Sequence, residues 1–219
     1  MTLLEHVKAT KILLAHGNPS DDFSYSNQLI AHFLKVSRAK LTEQKIDKYN
    51  AISPQSLQSL CLSLESSNFH NCCNAPDTEC QVLKSVDPIP RMLNSRWGHF
   101  MRVLDLEGRV IPEYTLTQNR FAKYSLTGAS FGWFLHDNHL YIINNSFLET
   151  VLLDALFDNP QEIHELRCTT TTECADFMSE EFPIDSDLID AMYRLTVDLI
   201  TRSMSLPKDE EQDAKDQTA

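Results

Sequence analysis

The hydrophobic period of this chain changes twice along its length, and that alternation constrains the fold more than any short motif does. Between Tyr25 and Lys48, the residues Leu29, Ile30, Phe33, Leu34, Ser37 and Leu41 recur at helical spacing, which predicts an unbroken helix. Such a helix would be ~36 Å long. Leu3, Leu4, Val7, Lys11 and Leu14 form a shorter stripe before it, stopped by Gly17 and "NPSDD". The texture then turns short, β-branched and aromatic: "QVLKSV", "HFMRVLDL", "RVIPEYTL", "SFGWFL" and "HLYIIN" read as strands, with turns at 107–109 and 136–138. "ETVLLDALF" predicts a further strand, and Asn159-Pro160 opens a short helix. Helical spacing returns with Leu188, Met192, Leu195 and Leu199, flanked by Ile189, Thr196 and Ile200.

Between the early helices and the first strands lies "ISPQSLQSLCLSLESS". Ser53 is a good N-cap and Pro54 suits the first helical position. Leu57, Leu60, Cys61 and Leu64 follow at i, i+3, i+4 and i+7, so a third helix is expected here. The expected fold class is therefore α+β: a helical bundle-like domain with an inserted antiparallel β-rich region, then a C-terminal helix and an extended arm. By residue, 1–66 form the helical part and 67–182 the β-rich insertion with one short helix. Residues 183–206 form a C-terminal helix packing on the helical part, and 207–219 an acidic arm. "LPKDEEQDAKDQTA" is too polar to pack a core.

Charge narrows the function. The 219 residues carry 31 acidic against 19 basic side chains, a net −12. Phosphate affinity comes from Lys and Arg releasing counterions, so this chain is not expected to grip nucleic acid. Its five glycines form neither G-x-G-x-x-G nor a P-loop, so no nucleotide cradle is expected. No apolar run approaches the ~20 residues of a membrane span, and the charged N-terminus is unlike a secretory signal. Synthesis in the cytoplasm follows as an expectation.

Three motifs tempt toward catalysis or metal. "GASFG" matches the Gly-x-Ser-x-Gly nucleophile elbow, with Ser130, Asp154 and His164 in hydrolase order. An elbow needs a buried strand into the serine and a helix just after it. Here a polar stretch precedes Ser130 and a hairpin pattern follows, so the motif is read as chance. "HDNH" places His136 and His139 on either side of a two-residue turn, facing each other across a strand pair at a sheet edge. Two histidines without a third ligand make a poor metal site. Cys72 or Cys73, Cys80, Cys168 and Cys174, with His70, could supply zinc ligands, yet no C-x₂-C spacing occurs. Free, mostly buried cysteines are the expectation, with no cofactor. A small cytosolic hydrolase or zinc-dependent enzyme remains the alternative, as does a monomeric protein-binding regulator.

The long second helix carries Lys35, Arg38, Lys45 and Lys48 opposite its apolar stripe. That basic face is either solvated or meets an acidic neighbour. Lys35, Arg38 and Lys45 are candidate partner-binding residues, together with Pro207, Lys208, Asp209, Glu210 and Glu211 of the arm.

Taken whole, the stretch from Asp21 to Glu65 resembles the opening of head-to-tail connector proteins of short-tailed bacteriophages, closest to the ring proteins of crAss-like phages. The resemblance is carried by a long helix with Arg38, Ala39 and Leu41, then Gln58, Leu60 and Cys61-Leu62. "LYIIN", "LFDNPQE" (156–162), "FPIDSDLIDAMYRLTVDLI" (182–200) and the acidic ending add to it. The resemblance implies a virion structural protein without enzyme activity, an adaptor ring of about twelve copies between portal and tail. DNA would pass through without specific binding. The implied partners are the portal and other neck or tail rings.

Overall fold

The structure, a computed structural model, describes residues 1–17, 25–68, 81–96, 98–114, 131–143, 147–170 and 176–204. Helix α1 (Leu3–Leu14) starts in a capping box, in which Thr2 Oγ1 accepts from Glu5 N–H and the Glu5 carboxylate accepts from Thr2 N–H. It ends at Gly17, whose φ of 90° an L side chain rarely adopts. Helix α2 (Asn27–Tyr49) is capped by Ser26 and ends on left-handed Asn50. Helices α3 (Pro160–Thr170) and α4 (Ile189–Met204) follow the strands. The first, second and last of these occupy the stretches where helical periodicity predicts them, and Asn159 accepts from Gln161 N–H to open α3.

The expected third helix is not there. Ser53 does cap the next backbone, accepting from Gln55 N–H, but only a single 3₁₀ turn (Pro54–Ser56) forms before β1 (Gln58–Asn68). In "QSLCLSLESS" a period of two competes with the helical one, and pairing decides between them. Leu60 and Leu62 are buried while Cys61, Ser63 and Glu65 face outward. Interspersed serines also weaken a helix by offering the backbone local hydrogen bonds.

Strand β1 organises the sheet. Its first half pairs with β9 (Thr150–Ala155) from Gln58↔Ala155 to Ser63↔Thr150. Its second half pairs with β2 (Gln81–Ser85). Beyond β9 lie β5 (Met101–Leu104) and β6 (Val110–Ile111); beyond β2 lie β8 (His139–Ile143) and β7 (Gly132–His136). The order is β6-β5-β9-β1-β2-β8-β7, antiparallel throughout. A separate two-stranded ribbon joins β3 (Asn94–Ser95) to β4 (Gly98–His99). The β7–β8 turn has Asp137 and Asn138 at φ 48° and 60°, the mirror-image turn that matches strand twist.

The two edges of the seven-stranded sheet nearly close on each other. Just past β6, Tyr114 N–H donates to the Trp133 carbonyl (2.8 Å) and Trp133 N–H donates to that of Pro112 (3.0 Å). The resulting near-barrel buries Leu60, Leu62, Val103, Ile111, Trp133, Leu140, Ile142, Val151 and Leu153 inside. Closure explains Gly132, the last residue of "GASFG". A Cβ there would overlap the Tyr114 ring and come within 2.9 Å of the Pro112 carbonyl oxygen.

Helices α1, α2 and α4 form one layer around Leu3, Val7, Ile30, Leu34, Phe182, Met192 and Ile200. A buried hydrogen bond from Thr196 Oγ1 to Ser37 Oγ (2.9 Å) ties α4 to α2. A smaller apolar cluster, with Ala39 and Ile46 of α2 against Leu93 and Leu156, joins this layer to the near-barrel. The architecture is mixed helix and sheet, as the period changes imply. It is not helical-bundle-like: the near-barrel has a core of its own, and the helices cover one end of it. The bundle expectation fails because 58–68 went to the sheet: the three remaining helices share a core with Phe182 and Ile184 as a single layer, and the larger sheet closes on a core of its own.

Candidate functional site

Three stretches distant in sequence meet on α2. Arg38 is fully buried, donating from Nη1 to the Phe157 carbonyl (2.9 Å) and from Nε to that of Pro183, with its guanidinium carbon 6.0 Å from the Phe182 ring centre. Burial pushes its pKa down to about 10, opposed by Asp158 and Asp185, so the group stays charged at neutral pH. One helical turn toward the N-terminus, Lys35 Nζ donates to Gln161 Oε1 on α3 (2.9 Å); burial lowers its pKa against the pull of Glu165 and Glu162.

Two turns further along, Lys45 Nζ sits 2.8 Å from Asp185 and 2.9 Å from Asp187. Hydrogen bonds that Lys45 donates to both carboxylates raise its pKa. Asp185 is itself buried, and its other oxygen accepts from Ser56 Oγ (2.8 Å). Burial alone would push its pKa up; hydrogen bonds from Lys45, Ser56 and Ser53 outweigh that and leave it low. So the basic face of α2 does meet acidic neighbours, and they belong to the same chain. Within this fold Arg38 is enclosed, whereas Lys35 and Lys45 lie partly at the surface. Pro207, Lys208, Asp209, Glu210 and Glu211 lie outside the described residues.

Asp185, Asp187, Ser56 and Gln161 were not singled out from sequence. The only signal was "DSD" ahead of α4, which by itself reads as a helix start. The segments that carry the phage resemblance, 156–162 and 182–200, supply the partners of the α2 basic residues.

The enzyme-like motifs disperse. Ser130 lies outside the described residues, and the chain after it enters β7 and a hairpin rather than a helix. Asp154 accepts from Ser59 Oγ across β1 (2.5 Å) and lies 3.6 Å from Arg102. His164 is buried on α3 with Nδ1 2.9 Å from Glu180. Register pairs His136 with His139 on the outermost strand pair, as expected, and His139 Nδ1 is 2.9 Å from the Ser85 carbonyl oxygen. Among the described residues no group of three His, Cys, Asp or Glu side chains is placed to hold a metal. Cys72, Cys73, Cys80 and Cys174 lie outside them, and Cys61 is an exposed free thiol on β1.

A polar cleft of about 480 Å³ opens beside the Arg38 hub, between α3 and residues 177–189. Its lining includes His6, Gln58, His164, Arg167 and Glu180. His6 Nδ1 is 2.7 Å from the Tyr193 hydroxyl, and burial lowers its pKa. His6 thereby joins α1 to α4, and the His164–Glu180 pair joins α3 to the segment that pairs with the N-terminus at Thr2↔Glu181. The polar chemistry of this region ties the chain's own elements together.

The ties around Arg38, Lys35 and Lys45 hold this chain's own elements together, and comparison with known families places the chain among the structural ring proteins of phages. The family model described as phage tail ring protein 2, of the crAss-like phage ring proteins, matches residues 9–218, and the chain belongs to that family. A search of curated proteins finds no match. No helix among the described residues is long and apolar enough to cross a membrane.

Proposed function

We propose that this ring protein is an adaptor in the phage neck, seated between portal and tail, and that about twelve copies surround the path of the genome. The observation that carries the reading is the match to the tail ring family over residues 9–218. The net charge of −12 supports it, because it repeats in every copy and a wall of acidic surface lets DNA slide without gripping it. The protein works without catalysis or cofactor. Assembly takes place in the host cytoplasm, before the tail is complete.

The acidic arm, from Pro207 through Lys208, Asp209, Glu210 and Glu211 to the end, reaches the portal or a neighbouring ring. Several polar contacts there, rather than one apolar anchor, supply the binding. The test is electron microscopy of the protein mixed with its portal, together with antibody labelling of whole virions. Rings stacked on the portal, and label at the neck, are expected. Label elsewhere on the tail would refute the adaptor position, and a protein missing from virions would refute the structural role itself.

A further inference from the structure

Among the exposed apolar side chains of the described residues, two groups are shaped for contact. The first is the tip of the β5–β6 hairpin, where Leu106 is 74% and Val110 60% exposed. The Asp105 carboxylate holds this tip in shape by accepting from Glu107 N–H (2.9 Å) and Arg109 N–H (2.8 Å), with Gly108 at φ 80°. Glu107 and Arg109 form an ion pair on either side of the turn. A tight turn that fixes its backbone while turning a leucine to water is pre-organised for contact, so little ordering entropy opposes docking.

The second feature is a groove of about 460 Å³ on the solvent side of the helical layer. Ala9, Ile12 and Leu13 of α1 and Tyr193 of α4 line it, with Asp190 and Arg194 at its border. Ile12 and Leu13 are each about half exposed. Ile12 points away from the stripe Leu3, His6, Val7 and Thr10 that α1 buries, while Leu13 lies at the edge of that stripe.

Strand β5 begins at Met101, opposite Ala155, where the helices cover the near-barrel, and runs to Leu104 at the other end. The hairpin tip therefore projects from the end away from the helical layer, while the groove lies on that layer. One copy cannot bring these patches together, but two copies can. A ring needs a contact of this kind: two different patches on each subunit, joined head to tail, which close when the rotation closes.

We propose that Leu106 of one copy seats in the α1–α4 groove of the next copy, so that the ring closes through this contact. The charges complement: Glu107 and Arg109, paired with each other in the free copy, exchange that partner on docking for Arg194 and Asp190 at the groove, giving an apolar centre with a polar rim. The occupant is a second copy of this chain, an inference that rests on the ring reading above.

The test places a photo-crosslinking amino acid at position 106 and irradiates assembled particles built from mixed isotope-labelled and unlabelled protein. Mass spectrometry then identifies the partner peptide and shows whether it came from another copy. Crosslinks to residues 9–13 or 190–194 of another copy are the expected result. Self-crosslinks to any other region would overturn this interface while leaving the ring intact. Crosslinks only to other proteins would also overturn it, and failure to find any self-association in the particle would remove the ring reading itself. A second arm uses charge. Arg194→Glu should lower the ring fraction at least tenfold in mass photometry with its circular dichroism unchanged, and adding Glu107→Arg should restore it. A double variant no better than the single one overturns the pairing.

Discussion

Replacing Arg38 with alanine tests the proposition that one buried guanidinium holds the helical layer to the near-barrel. The substitution strands the carbonyls of Phe157 and Pro183, which Arg38 now satisfies from Nη1 and Nε. Each buried carbonyl left unpaired costs about 1–3 kcal/mol. The lost aliphatic stem also leaves a cavity beside Phe182, whose ring the guanidinium flanks at 6.0 Å. From the two stranded carbonyls and the cavity together, we expect Arg38→Ala to lose about 3–5 kcal/mol. Against a total stability of about 5–15 kcal/mol this is a large fraction. Arg38→Met keeps most of the volume but not the donors, and should lose less than Arg38→Ala yet at least about 2 kcal/mol from the two carbonyls. Arg38→Lys can reach one carbonyl at best and should fall between wild type and Met. The assay is equilibrium urea unfolding followed by two probes. Tryptophan fluorescence in a Trp97→Phe background reports on the near-barrel, where Trp133 is buried and donates to the Ile111 carbonyl (2.9 Å). Circular dichroism at the helical wavelength reports on the layer that Arg38 anchors. Wild type should unfold in one transition by both probes. A loss below about 1 kcal/mol for Arg38→Ala, or an Arg38→Met variant as stable as wild type, would refute the assignment of a structural tie to this residue.

Further outcomes follow from the same geometry. Gly132→Ala should lose about 1–3 kcal/mol by urea unfolding, because the added methyl meets the Tyr114 ring and the Pro112 carbonyl at the closure of the near-barrel. Asp185 has a folded pKa below its unfolded one, so its contribution is present above about pH 4 and is lost as pH falls through the folded value; Asp185→Asn should flatten that acid limb in a melting-temperature series. Lys45 is shifted the other way, so its contribution holds below its unfolded pKa and fades as pH rises through the folded one, and Lys45→Met should flatten the alkaline limb. Burial lowers the His6 pKa, so the unfolded chain takes up its proton first. Stability should therefore drop as pH falls below about 6.5, and His6→Gln should reduce that slope. Deleting residues 207–219 should leave the melting temperature unchanged and weaken co-purification with the portal ring; unchanged portal binding at moderate salt would dismiss the docking arm.

Local chemistry by itself was enough to determine which segments are helical at both ends of the chain. Leu29 to Leu41 and Leu188 to Ile200 keep one apolar face over three or more turns, and the caps Ser26 and Gly17 act within a few residues of themselves. The Asp137-Asn138 turn was legible for the same reason, since a two-residue hairpin is specified by its own φ preferences. Membership in a phage ring family was legible too, from patterns spread over most of the chain. What sequence could not decide was the state of 58–68, where helical and strand periods both fit the leucines. The choice came from β9 and β2, which lie far off in sequence and satisfy β1's backbone on both edges. Nor could it decide the fate of the α2 charges. Lys35, Arg38 and Lys45 read as a surface because spacing says which residues share a face, not what covers it. Only the fold brings Phe157, Gln161, Pro183 and Asp185 to that face, and burial then turns Arg38 from a surface charge into an internal tie that needs its carbonyl partners.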